Sequence, residues 1–530
     1  MKKKILWWTL GVVVVLGILF ALYIFIPRSL TFDISIPNNP KFDYSNSENY
    51  IIVTNDDGLQ VTISNEYSPY DDVFEYIDFY HNRFYENENY LNGNNMTLHE
   101  NRFTTVNGDK TQVLSLTKDY ENLEDTTYTY AYIQTKDRNY TRFMFKSNMS
   151  FDDEYVKMYE GILNSYKPKN EHFRSTVIYY ANKVMKKLFN APNFFKEYKD
   201  VNTIQVKATE NPNWDEKTKA LYDKFKNSDE VLWGLFIKGM HGNAINTTIP
   251  ELEKEIEHKF EIMLVYNHLG NEVPMEAMEQ MKKDDRIIEF TYQICVNNNE
   301  TLYGYTPMFD VLDGKYDDEF RKLAKELKEF ENPVLFRLNN EMNSDWTSYA
   351  GMLCLSDPEV YKGVWRRIYD IFEEENVTNC IWIFNPNDNN YPPSEWNNFI
   401  AYYPGDKYVQ MIGVTGYNTG TYYAEKYGER WRTFKEIYDG IDSKYLKYFK
   451  DFPWIITEFA SSSYGGDKAK WITDMFEDLK NHKNIKAAVW FSEADYNLEN
   501  GEVARPYYLN ETPETVKAFR DGLKKSKGTN

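Results

Sequence analysis

Apolar residues gather into short runs along the second half of the chain, and amphipathic segments lie between several of these runs. The runs are near-continuous rather than alternating, which is typical of strands in a parallel sheet buried on both faces. There are eight of them, at residues 231–237, 260–266, 287–294, 333–338, 380–385, 409–417, 453–459 and 485–491. Eight such strands alternating with helices over about 295 residues predict an α/β fold, a (β/α)8 or TIM barrel, for residues 231–525.

Three of the intervening segments show apolar positions at helical spacing. Their apolar faces consist of Phe320, Leu323, Leu327 and Phe330, of Val360, Val364, Ile368 and Phe372, and of Trp471, Met475 and Leu479. In the second segment, Asp357 can cap the helix and Pro358 fits its first turn. These helices are expected to form the outer layer of the barrel.

The chain before residue 231 shows a different order of elements. Two strand-like runs at 50–55 and 59–64 predict a hairpin. An amphipathic helix at 73–85, four more strand-like runs and a closing helix at 153–166 follow. The order β-β-α-β-β-β-β-α predicts an α+β sandwich for residues 31–168, and it resembles the small PsbP-like sandwich. Residues 169–230 are expected to form a helical connector.

A membrane signal is predicted at residues 1–28. Three lysines precede Ile5–Ile26, a run of 22 residues without a charge. A helix of that length spans roughly 33 Å, about one hydrocarbon core. A cleaved signal peptide is the alternative, but its apolar region would be about 7–15 residues long. We therefore expect an uncleaved, single-pass transmembrane anchor in the cell membrane, with the N-terminus inside and the catalytic domain extracellular.

Charge and cysteine content narrow the choice of partner. The formal net charge is −20, which argues against a nucleic-acid partner and is compatible with a neutral ligand. The chain has three cysteines, no CxxC and no HExxH, so neither a disulfide framework nor metal chemistry through His or Cys is expected. No cofactor is predicted, and the chain is expected to be a monomer.

Polar residues follow the predicted strands where a barrel would carry its active site. The stretch "PVLFRLNNEMNSDW", residues 333–346, ends its apolar strand with two amides and Glu341. Glu458 follows the apolar run of strand seven. Two carboxylates about 5–5.5 Å apart in one cleft suit a retaining glycoside hydrolase. The alternative is that each is a buried carboxylate paired at the barrel rim, for which Arg337 could be the partner.

With "PVLFRLNNEMNSDW", the segments "GVTGYN" and "WIITEF" make residues 230–520 resemble glycoside hydrolase family 26, of clan A. The resemblance implies that Glu341 is the acid/base and Glu458 the nucleophile. It also implies a hydrogen bond from Tyr417 to the nucleophile, a sugar site shaped by Trp346, and a sugar platform at Trp490. The strand tips add His268, Asn340 and Asn343 as candidate substrate-binding residues.

Two positions depart from the family pattern. Asn340 stands where the family usually has His, and Ser344 stands where Gly is usual. Asn340 can still orient a carboxyl or hold a sugar hydroxyl, so catalysis is expected to survive. Together with Tyr417, it would favour the charged form of Glu458 by hydrogen bonding, while Glu341 would hold a proton.

The sequence therefore predicts a membrane-anchored, extracellular, retaining endo-β-glycanase. The resemblance implies a β-1,4-linked substrate, mannan first, with β-glucan or xylan as alternatives. A non-catalytic glycan-binding or surface-polysaccharide assembly protein is the second interpretation. A polysaccharide lyase is the third, because the tips offer only His241, His268 and Tyr417 as bases.

Overall fold

The computed structural model of the chain describes residues 2–26, 32–47, 50–169, 172–191, 194–196, 204–295 and 304–526. The chain divides into two compact units. Unit 1 comprises Met1–Ile77, Met96–Asp119 and Glu124–Ile204, and unit 2 comprises Asp78–Asn95, Tyr120–Leu123 and Gln205–Asn530. Two short segments from the first half of the chain thus belong to the same unit as the second half.

The first 204 residues contain nine strands and six α-helices among those described. The strands are β1 (Phe32–Asp33), β2 (Lys41–Ser47), β3 (Tyr50–Thr54), β4 (Gln60–Tyr67), β5 (Met96–Val106), β6 (Asp109–Lys118), β7 (Thr126–Lys136), β8 (Asn139–Ser147) and β9 (Lys167–Pro168). The helices are α1 (Lys2–Phe25), α2 (Val73–Ile77), α3 (Arg83–Tyr85), α4 (Glu88–Gly93), α5 (Asp153–Ser165) and α6 (His172–Phe189), with a π-helical turn at Asp78–Asn82.

Unit 1 is built on a seven-stranded antiparallel sheet with the order β2-β3-β4-β8-β7-β6-β5. Helix α5 begins after Asp152, whose carboxylate accepts hydrogen bonds from the backbone N–H groups of Glu154 and Tyr155. Tyr155 and Tyr159 of this helix belong to the same apolar core as the inward side chains of the sheet. The strand β2 was not predicted, because its sequence KFDYSNS contains no apolar run.

The predicted membrane anchor, residues 5–26, falls on α1. The side chains of this helix are described from Val14 onward. Among the described residues, none of the helices combines the length and the hydropathy needed to cross a membrane.

Unit 2 holds the second set of elements. The strands are β10 (Leu232–Ile237), β11 (Ile262–His268), β12 (Ile287–Gln293), β13 (Val334–Leu338), β14 (Cys380–Phe384), β15 (Met411–Thr415), β16 (Trp454–Phe459), β17 (Ile485–Ser492), β18 (Ala494–Tyr496) and β19 (Val503–Pro506). The helices are α7 (Glu216–Asn227), α8 (Thr248–Ile256), α9 (Met275–Lys283), α10 (Met308–Leu312), α11 (Asp317–Glu329), α12 (Pro358–Glu374), α13 (Ala424–Tyr427), α14 (Phe434–Phe449), α15 (Lys468–Leu479) and α16 (Pro513–Ser526).

Strands β10 to β17 pair in chain order and close into a parallel barrel through the pairing of β10 with β17. This confirms the prediction of a (β/α)8 barrel, with each strand within a few residues of its predicted limits. Alternate side chains of each strand fill the interior, among them Leu264, Leu335, Ile383 and Val489. Helix α12 begins as expected, since Asp357 accepts a hydrogen bond from the N–H of Glu359 and Pro358 lies in the first turn.

Candidate active site

Glu341 and Glu458 both lie at the C-terminal end of the barrel strands. Glu458 is the next-to-last residue of β16, and Glu341 follows the end of β13 by three residues. The backbone N–H of Glu341 donates to the carbonyl of Asn385 at 2.7 Å, which ties it to the end of β14. The two glutamates are only 6% and 5% exposed, respectively. The two predicted catalytic residues are therefore largely shielded from water at one rim of the barrel.

The surroundings of Glu341 favour its protonated form. Burial raises the pKa of Glu341 well above its ordinary value, and the negative charge of Glu458 raises it further, against the opposing charge of Arg337. Asp388 and Asp495 act in the same direction as Glu458. Because Asn387 Nδ2 donates to Oε1 of Glu341 at 2.9 Å, the carboxyl is also fixed in orientation. A carboxyl that keeps its proton beside a carboxylate can serve as a general acid.

Glu458 is held by one hydroxyl and one guanidinium. The hydroxyl of Tyr417 donates to Oε2 of Glu458 at 2.9 Å, so the contact implied by the family resemblance is present. On the other oxygen, Nη2 of Arg337 lies 2.6 Å from Oε1. Arg337 is fully buried in β13, and the carboxylates beside it raise the pKa of its guanidinium. These two groups fix the orientation of the Glu458 carboxyl group.

The same guanidinium meets a second carboxyl group, which the sequence reasoning missed. Nε of Arg337 lies 3.2 Å from Oε1 of Glu289, a fully buried residue in the middle of β12. Nε also donates to Oγ1 of Thr291 at 2.6 Å, and Nη1 donates to Oδ1 of Asn385 at 3.1 Å. Burial raises the pKa of Glu289 to about 8. The sequence does contain a signal for Glu289, which is the single charged residue in the apolar run "IIEFTYQI".

The side chain of Asn340 is hydrogen-bonded to residues other than Glu458. The prediction of a hydrogen bond from Asn340 to the nucleophile is therefore wrong. Its Oδ1 accepts from Nε2 of Gln293 at 2.9 Å and from the hydroxyl of Tyr349 at 3.1 Å. These bonds fix the amide orientation, which leaves Nδ2 buried and without a hydrogen-bond partner in the described part of the chain. Such a donor is suited to a hydroxyl group of a bound sugar.

The side chain of Asn343 forms hydrogen bonds with the loop that follows β14 instead of facing the cleft. Its Oδ1 accepts from the N–H of Asn387 at 2.8 Å, and its Nδ2 donates to Oδ1 of Asn390 at 3.0 Å. The side chain is fully buried. We therefore correct its role from substrate binding to positioning Asn387, the residue that donates to Glu341.

Trp346 and His268 lie at the rim in different environments. Trp346 is 51% exposed on the loop after β13, as a residue shaping a sugar site would be. His268 ends β11, and its Nδ1 lies 3.3 Å from Sγ of Cys295. Burial lowers the pKa of His268, and the neighbouring His241 lowers it further. His268 is thus expected to be a neutral polar group at the edge of the barrel.

Trp490 is not a sugar platform, and this prediction is corrected. The indole is fully buried on the outer side of the barrel. Its ring centroid lies 5.2 Å from that of Phe459 and 5.9 Å from that of Phe519. Its Nε1 donates to the carbonyl of Tyr507 at 2.9 Å. Side chains alternate along a strand, so interior Val489 places Phe491 rather than Trp490 on the inner side.

Phe491 is the aromatic residue of β17 that adjoins the site. Its ring stacks on Phe236 with centroids 4.8 Å apart and meets the ring of Tyr417 edge-on at 6.0 Å. Tyr417 in turn contacts Tyr507 at 5.0 Å. Phe491 is only partly buried. An aromatic wall therefore lies beside Glu458 where the sequence had placed Trp490.

The charges at the edge of the site are paired. Asp388 lies 2.5 Å from Nη1 of Arg432, and Asp495 lies 2.8 Å from Nη1 of Arg505. In the described residues there is no group of three or more His, Cys, Asp or Glu that could hold a metal ion. The three cysteines are buried, and no disulfide joins them in the described part of the chain. The arrangement is suited to acid–base and nucleophilic chemistry on a ligand without charge.

Comparison with known proteins agrees with this geometry. Residues 260–441 match the model of glycosyl hydrolase family 26, a segment that contains Glu341 and Tyr417. Over these residues the barrel is therefore similar to glycosyl hydrolase family 26. Glu458 follows the matched segment.

Two curated relatives are enzymes that act on polysaccharides. Endoglucanase H of Acetivibrio thermocellus is 32% identical over 217 residues, which are 40% of this chain and 23% of that protein. Mannan endo-1,4-beta-mannosidase of Bacillus subtilis is 31% identical over 120 residues, which are 20% of this chain and 30% of that protein. The match thus spans less than a third of either relative. Among solved structures, a β-mannanase of Bacteroides ovatus is similar at 17% identity and a TM-score of 0.44, over 59% of this chain and 94% of that one.

Proposed function

We propose that this protein is a retaining endo-β-glycanase that hydrolyses β-1,4-linked polysaccharide, with a mannan-type substrate first and β-glucan or xylan as alternatives. One observation carries the proposal. A buried carboxyl group with a raised pKa, Glu341, lies in the electrostatic field of Glu458, which is paired with Arg337. The names of the two relatives, a mannosidase and an endoglucanase, support the substrate class.

The reaction would proceed by double displacement. In the first step, the carboxylate of Glu458 attacks the anomeric carbon while Glu341 gives its proton to the departing glycosidic oxygen. The glycosidic bond breaks and an ester to Glu458 forms. In the second step, Glu341 takes a proton from water, which attacks the same carbon and releases Glu458. Two inversions give net retention of the anomeric configuration.

The pKa of Glu341 would change during this cycle. Burial and, while Glu458 is ionised, the negative charge of Glu458 both favour the protonated form of Glu341. Formation of the ester removes that charge, so the pKa of Glu341 falls and the residue becomes a base when a base is needed. Tyr417 and Arg337 remain in contact with Glu458, and they would stabilise it as the leaving carboxylate of the second step.

A neutral sugar chain fits the edges of the site. The acidic groups at the rim, Asp388 and Asp495, are paired with arginines. The free amide hydrogens of Asn340 and the aromatic faces of Phe491 and Trp346 match hydroxyl groups and sugar rings. No cofactor takes part in the proposed reaction.

Hydrolysis by the full-length protein tests the proposal. Mannan, β-glucan and xylan are incubated with wild type, with Glu458→Ala and with Glu477→Ala, which removes an exposed surface carboxylate as a matched control. We expect one polysaccharide to be cleaved internally by wild type and by the control only. The first products, followed by NMR, should carry the β-anomer. If wild type binds a glycan but cleaves none, the protein is a glycan-binding protein instead; an initial α-anomer would exclude the retaining mechanism.

The location at the membrane is part of the proposal. The charge-free run Ile5–Ile26 would anchor the chain, with the barrel outside the cell. N-terminal sequencing of the protein from its native membrane tests this. A protein that still begins before Ile5 supports the anchor. A mature protein that begins near residue 30 contradicts it.

A further inference from the structure

The loop after β13, residues 339–357, carries Glu341 and has an unusual backbone; we call it the acid–base loop. Four residues in it other than glycine adopt positive φ: Asn339 at 46°, Glu341 at 57°, Leu355 at 60° and Ser356 at 47°. Left-handed conformations are unfavourable for residues with a Cβ and persist where surrounding contacts enforce them. The acid–base loop therefore depends on contacts from outside itself at both of its ends.

Contacts at the far end of the loop come from a distant part of the sequence. Asp78–Asn95 belongs to unit 2, together with the barrel. Within this segment, the hydroxyl of Tyr90 donates to the carbonyl of Leu353, and Nδ1 of His81 lies 3.1 Å from Oγ of Ser356. Both side chains are fully buried. The segment thus contacts the loop directly beside its two strained residues.

The segment is itself fastened to the barrel by separate contacts. Oδ1 of Asn94 accepts from the N–H of Thr306 at 2.9 Å, and its Nδ2 donates to the carbonyl of Gly304 at 3.1 Å. Oγ1 of Thr306 donates to the carbonyl of Ser348 in the acid–base loop at 2.6 Å. Residues 121–123 are held to the barrel separately, since the carboxylate of Asp313 accepts hydrogen bonds from the backbone N–H groups of Glu121, Asn122 and Leu123.

The far end of the loop is connected back to Glu341. The N–H of Gly351 donates to the carbonyl of Met342 at 2.9 Å. Ser344 donates to the carbonyl of Glu341 through its N–H at 3.0 Å and through Oγ at 2.6 Å. A shift of residues 351–356 would therefore be passed to the backbone of Glu341 and to its hydrogen bond with Asn387.

We infer that Asp78–Asn95 is a positioning segment for the acid/base, in which Tyr90 and His81 hold the far end of the acid–base loop so that Glu341 keeps its place against Glu458. This inference rests on the proposed function for its catalytic meaning. It extends the catalytic unit into a part of the chain that lies more than 240 residues before Glu341. Tyr90 and His81 are positioning residues, since neither contacts Glu341.

The test compares two substrates in the full-length protein. Tyr90→Phe removes the hydroxyl that donates to Leu353, and Tyr159→Phe removes one from unit 1, where Tyr159 donates to Glu100, as a matched control. An oligosaccharide needs proton donation from Glu341, whereas a dinitrophenyl glycoside has a leaving group that needs little. We expect Tyr90→Phe to lower kcat on the oligosaccharide about tenfold and on the dinitrophenyl glycoside less than about twofold. Equal loss on both substrates, or equal loss in Tyr159→Phe, would overturn the inference.

Hydrogen exchange provides a readout that does not depend on activity. In Tyr90→Phe, the amides of residues 342–357 should exchange at least about tenfold faster than in wild type, while those of β6 and β7 should not change. His81→Asn is a second variant, in which the same amides should exchange faster. If wild type cleaves no glycan, the proposed function fails but the exchange result still decides whether the segment holds the loop. Unchanged exchange of 342–357 in both variants would show that it does not.

Discussion

Arg337 and Glu289 face each other inside the barrel, with Nε 3.2 Å from Oε1. The same guanidinium pairs with Glu458 on its other side, at 2.6 Å. A single buried cation cannot compensate two buried carboxylates, so one of the two carboxyl groups is expected to hold a proton. Because burial raises the pKa of Glu289 to about 8, Glu289 is expected to be that group at neutral pH.

The first prediction concerns stability. The pKa of Glu289 is raised on folding, so the folded state holds this proton more firmly than the unfolded state. The contribution is fully present below about pH 4, and it is lost as pH rises to about 8, by at most about 1.4 kcal/mol per pH unit. Glu289→Gln has no proton to lose. Urea unfolding at pH 5 and pH 8 should show the variant gaining stability relative to wild type at the higher pH; a difference that does not change with pH would contradict this.

The second prediction concerns the nucleophile. Glu458→Ala should lower kcat on every glycoside by at least about 10⁴-fold, because the glycosyl-enzyme ester can no longer form. Azide should restore part of the activity and give a product of inverted configuration, since the small anion can attack from the vacated side. NMR of the glycosyl azide measures this. A retained product from the azide reaction would mean that another residue is the nucleophile.

The third prediction concerns the acid/base. Glu341→Ala should still form the covalent intermediate from a dinitrophenyl glycoside, and the intermediate should accumulate because its hydrolysis needs the missing base. Mass spectrometry of the quenched protein detects the added sugar. The intermediate should not accumulate in wild type, and equal accumulation in both proteins would argue against the assignment.

The fourth prediction concerns the pH profile. Since protonated Glu341 is the active form and its pKa is raised, kcat/KM should fall on an alkaline limb that lies above the range of an ordinary carboxyl group. This limb should be absent from Glu341→Ala when the dinitrophenyl glycoside is the substrate. Steady-state kinetics between pH 4 and pH 10 provide the comparison, and a limb that persists in the variant would belong to a different group.

The fifth prediction separates Trp490 from Phe491. Trp490→Phe should lower the free energy of unfolding by about 1–3 kcal/mol with little effect on KM, because the indole packs against helices and bonds to Tyr507. Phe491→Leu should instead raise KM about three- to tenfold through loss of an aromatic surface for the sugar. Urea unfolding and kinetics on the same preparations test both variants. The opposite pattern would restore Trp490 as the platform.

The barrel was predictable because its signal is local. Each strand is a nearly continuous apolar run, and three of the helices show their own apolar stripe. Glu341 and Glu458 could therefore be placed at the rim from their positions at the ends of two runs. Trp490 was misplaced because an apolar run does not show which alternate residues face inward, and only the closed barrel settles that. Tyr90 was missed because its partner, Leu353, is 263 residues away. No pattern within one stretch of sequence encodes a contact of that range.

The presence of Asp78–Asn95 in unit 2 affects how this chain can be recombined with others. A crossover near residue 205 would graft the barrel onto a foreign N-terminal half and would discard the residues that contact Leu353 and Ser356. A transplanted module would have to carry residues 78–95 and 120–123 with it, and both segments are connected in sequence to strands of unit 1. We therefore expect the N-terminal half and the barrel half to be inherited together. Chimeric proteins should be most active when both halves come from the same donor protein.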